Sequence, residues 1–277
     1  MGRVEGRVAL ITGAARGQGR AHARRLAEEG ANIVALDALT RYGTVSYPMP
    51  VEADLEETAR LVREVGREVE TAKVDVRDRA GMATAVERAL ERFGGIDIVV
   101  ANAGIVPPGA VFWEIPEAEW DDVMDVNLKG VWNTVCVAVP SMIERGRGGS
   151  IVIISSGAGL RAAPHIADYN ASKHGVIGLG RTMANELAKY RIRVNMIAPA
   201  AVATEMVLNP TTYKLFCPEI ESPTMEDARQ RFAALNPMGV AWVEPLDSAN
   251  MVLWLASEEA RYVSGSVIPL DGGALNA

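Results

Sequence analysis

A tyrosine and a lysine four positions apart, preceded by two serines, are the residues of this chain best suited to acid–base chemistry. Tyr169 and Lys173 share one face of a helix if that helix begins soon after Pro164. A cation close to a phenol favours the phenolate and lowers its pKa from about 10. Ser155 and Ser156 end an apolar run typical of a buried parallel strand, and open α/β sheets bind ligands at that end. The alternative is that Tyr169 and Lys173 are an exposed pair of side chains on a helix, and other segments of the chain are needed to distinguish the two interpretations.

Short apolar runs alternate with longer helical patterns along the whole chain, which is typical of β-α-β units and a parallel sheet. The pattern predicts an α/β fold with seven parallel strands: Val8–Ile11, Asn32–Asp37, Thr71–Val76, Ile96–Ala101, Ser150–Ser155, Arg193–Ile197 and Ser266–Leu270. The predicted helices are Gly17–Glu29, Glu56–Glu70, Arg79–Phe93, Glu117–Glu144, Ala167–Lys189 and Pro245–Leu255. Two proline-containing segments interrupt the alternation, an insertion at about 38–55 and a longer segment at about 200–242. Connections of that length are usually functional or mobile.

Length and composition exclude several classes of protein. The 277 residues fit a single domain, residues 1–277, and the net charge of −7 without a basic tract argues against a nucleic-acid partner. Cys136 and Cys217 lie far apart, and neither cysteine nor histidine spacing indicates a metal site. No apolar segment is long enough to cross a membrane, and the N-terminus lacks a targeting pattern. The expected location is the cytoplasm, without a membrane partner.

A glycine-rich segment joins the first strand to the first helix. It reads Thr-Gly-Ala-Ala-Arg-Gly-Gln-Gly from Thr12 to Gly19. Gly13 permits a tight turn, and Gly17 and Gly19 let backbone approach a pyrophosphate at the positive end of the helix. The alternative is a plain glycine-rich turn.

The end of the second strand favours a dinucleotide and selects its type. Asp37 can accept hydrogen bonds from an adenosine ribose and would repel a 2′-phosphate, whereas Arg16 could pair with that phosphate. We give more weight to Asp37 than to Arg16 and predict that the cofactor is NAD. Asp75 and Val76 could hold the adenine amino group, and Asn102-Ala103-Gly104 could let a cofactor ribose approach the backbone. Ordinary turns are the alternative for both segments.

One polar residue interrupts the apolar face of the fourth predicted helix. Asn127 falls in line with Trp120, Val123, Met124 and Val131 at helical spacing. A buried mid-helix asparagine is costly unless its amide is hydrogen-bonded. It is either a core amide bonded to a neighbouring carbonyl or a residue that holds a water behind Lys173 and opens a route for protons.

The order and spacing of these residues match one known family. Thr12-Gly-x-x-x-Gly17-x-Gly19, Asn102-Ala-Gly104, Asn127, Ser156 and Tyr169-x-x-x-Lys173 stand as in the short-chain dehydrogenase/reductase family, which the chain resembles from Arg7 to Gly273. The resemblance implies a single, doubly wound Rossmann-type domain with helices on both faces of the sheet. It also implies hydride transfer between a nicotinamide and a hydroxyl or carbonyl carbon.

The resemblance also assigns roles to individual residues. Tyr169 would be the acid/base, Lys173 would lower its pKa and hold the nicotinamide ribose, and Ser156 would steady the substrate oxygen. Asn127 would anchor the water of a proton relay, which favours the second interpretation above. The implied cofactor-binding residues are Gly13, Arg16, Gly17, Gln18, Gly19, Asp37, Asp75, Val76, Asn102, Ala103, Gly104, Tyr169, Lys173, Val202 and Thr204. Ala200 replaces the family's usual glycine before Val202 and Thr204, which alters the turn that leads into them.

A narrower likeness is to the carveol dehydrogenase-like, mycofactocin-associated branch of actinobacteria. Matching segments are Gly13–Gly19, Lys173–Val176, Leu187–Ala188, Trp242–Pro245 and Ala260–Gly265. That branch also lengthens the connection after the second strand, and its cofactor is thought to stay bound and to be reoxidised in place by another carrier, mycofactocin. The resemblance therefore implies a retained cofactor, with an ordinary surface excursion and freely exchanging NAD as the alternative.

The substrate is expected to be hydrophobic. Residues 203–242, which we interpret as a substrate lid, contribute Met206, Leu208, Tyr213, Leu215, Phe216, Met238 and Trp242. These side chains favour a carveol-like, terpenoid or other cyclic secondary alcohol, although core packing beneath the lid is the alternative for most of them. Gly175, Gly178 and Gly180 belong to a helix that is apolar nearly all round, which suits the homotetramer interfaces of the family. The intact Asn-Ser-Tyr-Lys set disfavours a non-catalytic NAD-binding redox sensor. The glycine spacing disfavours an epimerase or dehydratase.

Overall fold

The computed structural model describes residues 2–276 and contains one parallel sheet of seven strands. The strands are β1 (Val8–Thr12), β2 (Asn32–Asp37), β3 (Val69–Lys73), β4 (Ile98–Ala101), β5 (Gly149–Ile154), β6 (Ile192–Pro199) and β7 (Val267–Leu270). Their spatial order is β3-β2-β1-β4-β5-β6-β7. The predicted α/β fold, a doubly wound Rossmann-type sheet of seven parallel strands, is confirmed.

The strands form where the sequence has short, almost continuous apolar runs. All five residues of β1 and all four of β4 are buried, as expected for strands covered on both faces. The strand order reverses between β1 and β4, and in such sheets ligands bind outside the carboxyl ends of the strands at that point. The glycine-rich segment after β1 and the serines after β5 therefore lie at the same edge of the sheet.

Helices cover both faces of the sheet. They are α1 (Gly17–Glu28), α2 (Glu52–Glu64), α3 (Arg79–Phe93), α4 (Glu117–Met124), α5 (Gly130–Arg145), α6 (Ala167–Leu187), α7 (Pro210–Phe216), α8 (Met225–Ala233) and α9 (Pro245–Ala256). One core cluster joins α3, α5 and α6 to the sheet, and the other joins α1, α2 and α9 to the opposite face. Among residues 2–276, none of the helices combines the length and the apolar character that a membrane crossing requires.

The predicted helix Glu117–Glu144 is two helices joined by a turn of π-helix at Asp125–Lys129. The π turn closes wider hydrogen-bonded rings than an α-helix does, and such turns are frequent at functional sites. It places Asn127 at the junction. The sequence pattern missed it because one widened turn changes the apolar periodicity very little.

The two irregular segments adopt different structures. Residues 38–51 form neither helix nor strand, and α2 then begins at Glu52, four residues before the predicted start. Tyr42, Val45 and Tyr47 of this insertion are buried in the core cluster of α3, α5 and α6. The segment after β6 instead contains α7 and α8, which pack around their own small apolar cluster.

Candidate active site

The two serines after β5 have separate positions. Ser155 is buried, and its hydroxyl donates to the carbonyl of Lys173 at 3.0 Å, which ties β5 to α6. The Ser156 hydroxyl accepts from the amide of Ala158 at 3.1 Å and lines a cavity. Ser156 is therefore the serine that can contact a bound molecule.

Tyr169 and Lys173 lie one turn apart near the start of α6. The Lys173 side chain is 4% exposed, and its Nζ donates to the carbonyl of Ile154 at 2.9 Å. The same nitrogen lies 5.5 Å from the centre of the Tyr169 ring. Tyr169 is half-buried and lines the same cavity as Ser156, which we term the Ser156–Tyr169 cavity. The predicted serine, tyrosine and lysine thus come together at the carboxyl end of β5.

Burial dominates the electrostatics of this pair. It lowers the pKa of Lys173 to about 8, because a desolvated ammonium is disfavoured. It also raises the pKa of Tyr169, and the hydrogen bond with Ser156 acts in the opposite direction. The lowered tyrosine pKa expected from the neighbouring lysine is thus outweighed, because burial penalises the phenolate more than the Ser156 hydrogen bond stabilises it.

Asn127 is fully buried, and the backbone of one residue satisfies its amide. Its Oδ1 accepts from the amide of Ile105, and its Nδ2 donates to the carbonyl of Ile105, both at 2.8 Å. A Cβ added at Gly104 would lie 3.3 Å from Asn127 Oδ1 and 3.6 Å from Lys173 Nζ. Asn127 therefore lies beside the lysine and fixes the backbone after β4, and its role in a proton relay stays a prediction.

The glycine-rich segment forms a compact turn into α1. Gly13 and Gly17 have φ of 65° and 53°, a backbone region that favours glycine. A Cβ at Gly19 would lie 2.0 Å from the Gly13 carbonyl oxygen. Asn102 donates to the carbonyls of Thr12 and Gly13 at 3.0 and 3.2 Å, which joins this turn to the end of β4.

A second cavity, the glycine-loop cavity, opens between this turn and the insertion. All of the predicted cofactor-binding residues line it except Asp75, Val202, Tyr169 and Lys173. The Oε1 of Gln18, one of the lining residues, is buried and has no hydrogen-bond partner within residues 2–276. An unpaired polar atom beside close-packed glycines fits a polar nucleotide in this cavity.

Asp37 and Arg16 engage different partners. The 7% exposed Asp37 accepts from the amides of Ala15 and Leu39 at 3.0 and 3.1 Å, and burial raises its pKa against the effect of these hydrogen bonds. Arg16 donates to the carbonyl of Pro48 in the insertion. Both residues line the glycine-loop cavity, but the Arg16 guanidinium is bonded to the insertion, whereas the Asp37 carboxylate is bonded to the backbone beside the glycine-rich turn.

Besides Tyr169 and Lys173, two predicted cofactor-binding residues, Asp75 and Val202, lie outside the lining of the glycine-loop cavity. The Asp75 carboxylate accepts from Tyr42 Oη at 3.1 Å and pairs with Arg77 at 2.9 Å, so it anchors the insertion. Val202 is buried and bridges to Val243. Their contacts with a cofactor stay predictions, whereas Val76 and Thr204 do line the glycine-loop cavity.

The walls of the Ser156–Tyr169 cavity are mostly apolar. Met206, Leu215 and Phe216 line it as expected, but Leu208, Tyr213, Met238 and Trp242 do not. Tyr213 packs inside the cluster of α7 and α8, the alternative that the sequence left open. Tyr47 and the segment 106–108 also line the cavity and were missed, although an aromatic side chain within an unusual insertion was a usable signal.

The histidines form no site. His22 is buried, and neither ring nitrogen has a hydrogen-bond partner within residues 2–276. His165 is exposed, lies outside the lining of both cavities and accepts through its carbonyl from the amide of Ala110. Among residues 2–276, no group of three or more histidine, cysteine, aspartate or glutamate side chains could hold a metal ion.

Comparison with known proteins gives consistent results. Residues 7–212 match the family model described as short chain dehydrogenase. The chain is 46% identical over 273 residues to (-)-trans-carveol dehydrogenase of Rhodococcus erythropolis, covering 99% of each chain. It superposes on the crystal structure of carveol dehydrogenase from Mycobacterium avium in complex with NAD with a TM-score of 0.98, at 46% identity and full coverage of both chains. A short-chain dehydrogenase from Mycobacterium paratuberculosis bound to NAD gives a TM-score of 0.91 at 43% identity, again over both full chains.

Proposed function

The chain belongs to the short-chain dehydrogenase/reductase family and is an NAD-dependent oxidoreductase, and we propose that it interconverts an apolar secondary alcohol and its ketone. One observation carries the proposal: Ser156 and Tyr169 line a largely apolar cavity that adjoins the glycine-loop cavity. A carveol-like, terpenoid or other cyclic alcohol fits such walls. The relatives named as carveol dehydrogenases support the same substrate class.

The proposed chemistry balances one proton and one hydride. When bound, NAD supplies the nicotinamide carbon that accepts the hydride from the alcohol carbon. Tyr169 accepts the hydroxyl proton as that carbon becomes a carbonyl, and Ser156 holds the oxygen by a hydrogen bond. Lys173 stabilises the phenolate and holds the nicotinamide ribose, and Asn127 anchors the water that passes the proton to solvent. In the reduction, Tyr169 returns the proton to the carbonyl oxygen.

The cofactor seat follows from the lining of the glycine-loop cavity. The turn from Gly13 to Gly19 at the N-terminus of α1 would hold the pyrophosphate. Asp37 would accept hydrogen bonds from the adenosine ribose. Gly104 would leave room for the nicotinamide ribose near Lys173, and Thr204 would contact the carboxamide.

We propose that NAD stays bound between turnovers. Three hydrogen bonds attach the insertion to the rest of the domain. Tyr42 donates to Asp75, Thr44 donates to Asp122 at 2.8 Å, and Arg16 donates to the Pro48 carbonyl of the insertion. Tyr42, Tyr47, Met49 and Pro50 line the glycine-loop cavity, so the insertion covers its contents. Reoxidation in place then requires a redox carrier, for which mycofactocin is the candidate.

A panel of cyclic secondary alcohols tests both proposals. We expect turnover, with an artificial electron acceptor reduced in step with ketone formation and little NADH released into solution. If none of the alcohols or ketones gives a product, the proposal that the substrate is an apolar secondary alcohol or its ketone is refuted. Rapid turnover with added NAD alone, by protein purified free of nucleotide, would refute retention and leave the substrate class standing.

We propose a homotetramer in the cytoplasm. Trp120 of α4 and Trp132 of α5 are 40% and 41% exposed. Gly178 of α6 is exposed, and a Cβ there would meet no atom within 4 Å, so this position leaves room for the close approach of a second subunit. Light scattering of the purified protein tests the assembly, and a monomeric mass would refute it. Cell fractionation tests the location.

A further inference from the structure

One side chain of the insertion lies between the two cavities. Only Tyr47 and Met206 line both the glycine-loop cavity and the Ser156–Tyr169 cavity within residues 2–276. Tyr47 comes from the insertion after β2, and Met206 comes from the segment after β6. The two side chains therefore form a partition between the cavities, built from the two irregular segments of the chain.

The Tyr47 ring is fixed in place. It is 6% exposed and belongs to the core cluster that also contains Tyr42, Val45 and Ile105. Its Oη accepts from the amide of Val106 at 3.3 Å. A side chain that is buried at both its ring and its polar end keeps its position, so the partition has a defined shape.

Tyr47 also lies near the proposed acid/base. Burial raises the pKa of Tyr47 well above its usual range, and the phenol of Tyr169 acts in the same direction. Tyr47 therefore stays a neutral phenol. Since the amide of Val106 is its one hydrogen-bond partner within residues 2–276 and acts as the donor, the Tyr47 proton remains available to a bound molecule.

The position of the reacting carbon determines which parts of the substrate contact this partition. In the proposed reaction, the alcohol carbon faces the nicotinamide in one cavity while its oxygen faces Ser156 and Tyr169 in the other. Tyr47 and Met206 line both cavities, so they are the side chains that a substituent next to the reacting carbon would contact. Leu215 and Phe216 line only the Ser156–Tyr169 cavity, so they would contact the far side of a cyclic substrate.

We infer that Tyr47 is a specificity-determining residue, whose ring excludes alcohols that carry a branched group next to the reacting carbon but not the single methyl group that carveol carries there. This inference rests on the proposed function. It gives the insertion an effect on substrate choice in addition to its cover over the cofactor.

Two isomeric alcohols provide the test. One carries an isopropyl group next to the carbinol carbon of cyclohexanol, and the other carries it across the ring. We expect Tyr47→Ala to raise the kcat/KM ratio of the hindered to the unhindered isomer at least about tenfold, because the removed ring opens space for a branched group. Tyr47→Phe keeps the ring and should leave the ratio near that of the wild type. Leu215→Ala, which enlarges only the Ser156–Tyr169 cavity, should favour the isomer substituted across the ring.

A binding measurement makes the test independent of turnover. Calorimetry with the two matching ketones, on protein supplied with NADH, should show the same shift in their relative dissociation constants in Tyr47→Ala. Thermal unfolding of each variant verifies that it is folded. If the folded Tyr47→Ala protein keeps the wild-type ratios in both measurements, the inference is wrong, whereas the proposed function stands as long as the wild type oxidises either alcohol. If the wild type oxidises neither alcohol but the relative ketone dissociation constants differ between the wild type and Tyr47→Ala, the proposed substrate class is wrong. The inference that Tyr47 restricts the shape of the bound molecule is then supported.

Discussion

The ammonium nitrogen of Lys173 lies 5.5 Å from the centre of the Tyr169 ring and is held there by a 2.9 Å hydrogen bond to the carbonyl of Ile154. The lysine thus joins α6 to the end of β5 and brings a positive charge near the phenol. Ser155 adds a second link by donating to the Lys173 carbonyl. The geometry of the proposed proton-transfer group is therefore set by the contact between β5 and α6.

Replacement of Tyr169 by Phe should abolish turnover and preserve NAD binding. The change removes the proton acceptor, and general acid–base groups contribute about 10²- to 10⁴-fold to the rate. Tyr169 lies outside the lining of the glycine-loop cavity, so the NAD content of the purified protein should stay at the wild-type level. Steady-state kinetics and nucleotide analysis provide the measurements. The control is Tyr262→Phe at a side chain that is 91% exposed, and substantial activity in Tyr169→Phe would refute the acid/base role.

Lys173→Met should remove a pH dependence of stability. Burial lowers the pKa of Lys173 from 10.5 to about 8, so the unfolded chain binds more protons than the folded chain between these values. The free energy of unfolding of the wild type should therefore rise with pH across that interval, by about 3 kcal/mol from this group. Below about pH 8 the folded protein carries the full cost of a buried charge.

Urea unfolding at several pH values between about 8 and 10 measures this difference. The free energy of unfolding of the wild type should rise with pH relative to that of Lys173→Met. Subtracting one curve from the other cancels the contributions of the tyrosines, which both proteins contain. Parallel curves would mean that Lys173 has the same proton affinity in the folded and unfolded states.

The sequence was sufficient to predict the fold and most of the residues that line the two cavities, because the patterns that identify them are local. Apolar runs such as Val8–Thr12 define strands, and the spacing of Tyr169 and Lys173 defines a helix face. The partners of Asp75 and Asn127 could not be read in the same way. Each of them bonds to residues distant in the chain, Tyr42 in one case and Ile105 in the other.

The insertion shows the same limit. Its composition identified an irregular segment, but nothing local indicates that Tyr47 reaches the amide of Val106, 59 positions away. Tyr213 shows the opposite error: it was expected to line the substrate cavity but packs between α7 and α8. An apolar residue in a loop-rich segment has many available partners, and only the packed structure selects one.

Asp37→Asn should weaken the discrimination between NAD and NADP. The carboxylate lines the glycine-loop cavity and would repel a 2′-phosphate, whereas an amide of the same shape has no charge. Asparagine keeps one oxygen that can accept from Ala15 or Leu39 but loses the other of these two hydrogen bonds, so thermal unfolding of the variant must first verify that it is folded. We expect the NADP dissociation constant to fall relative to that of NAD by about tenfold. Calorimetric titration of both nucleotides is the measurement, and an unchanged ratio would show that Asp37 does not select the cofactor.

His22→Leu should make the protein more resistant to acid. Burial lowers the pKa of His22 from 6.5 to about 3, against the opposing effect of the nearby Asn102 side chain, so the unfolded chain binds more protons than the folded chain between these values. The stability of the wild type should therefore fall as the pH falls below about 6.5, by about 3 kcal/mol at pH 4 from this group. Leucine does not titrate and leaves no unpaired polar atom in a site where both ring nitrogens lack partners.

His22→Gln is the matched control for this prediction. It also cannot titrate, so it should lose the same acid sensitivity, but its buried amide should lower stability at neutral pH by about 1–3 kcal/mol. Urea unfolding of the three proteins between about pH 4 and pH 7 separates the two effects. If His22→Leu follows the wild-type pH dependence, the acid sensitivity comes from groups other than His22.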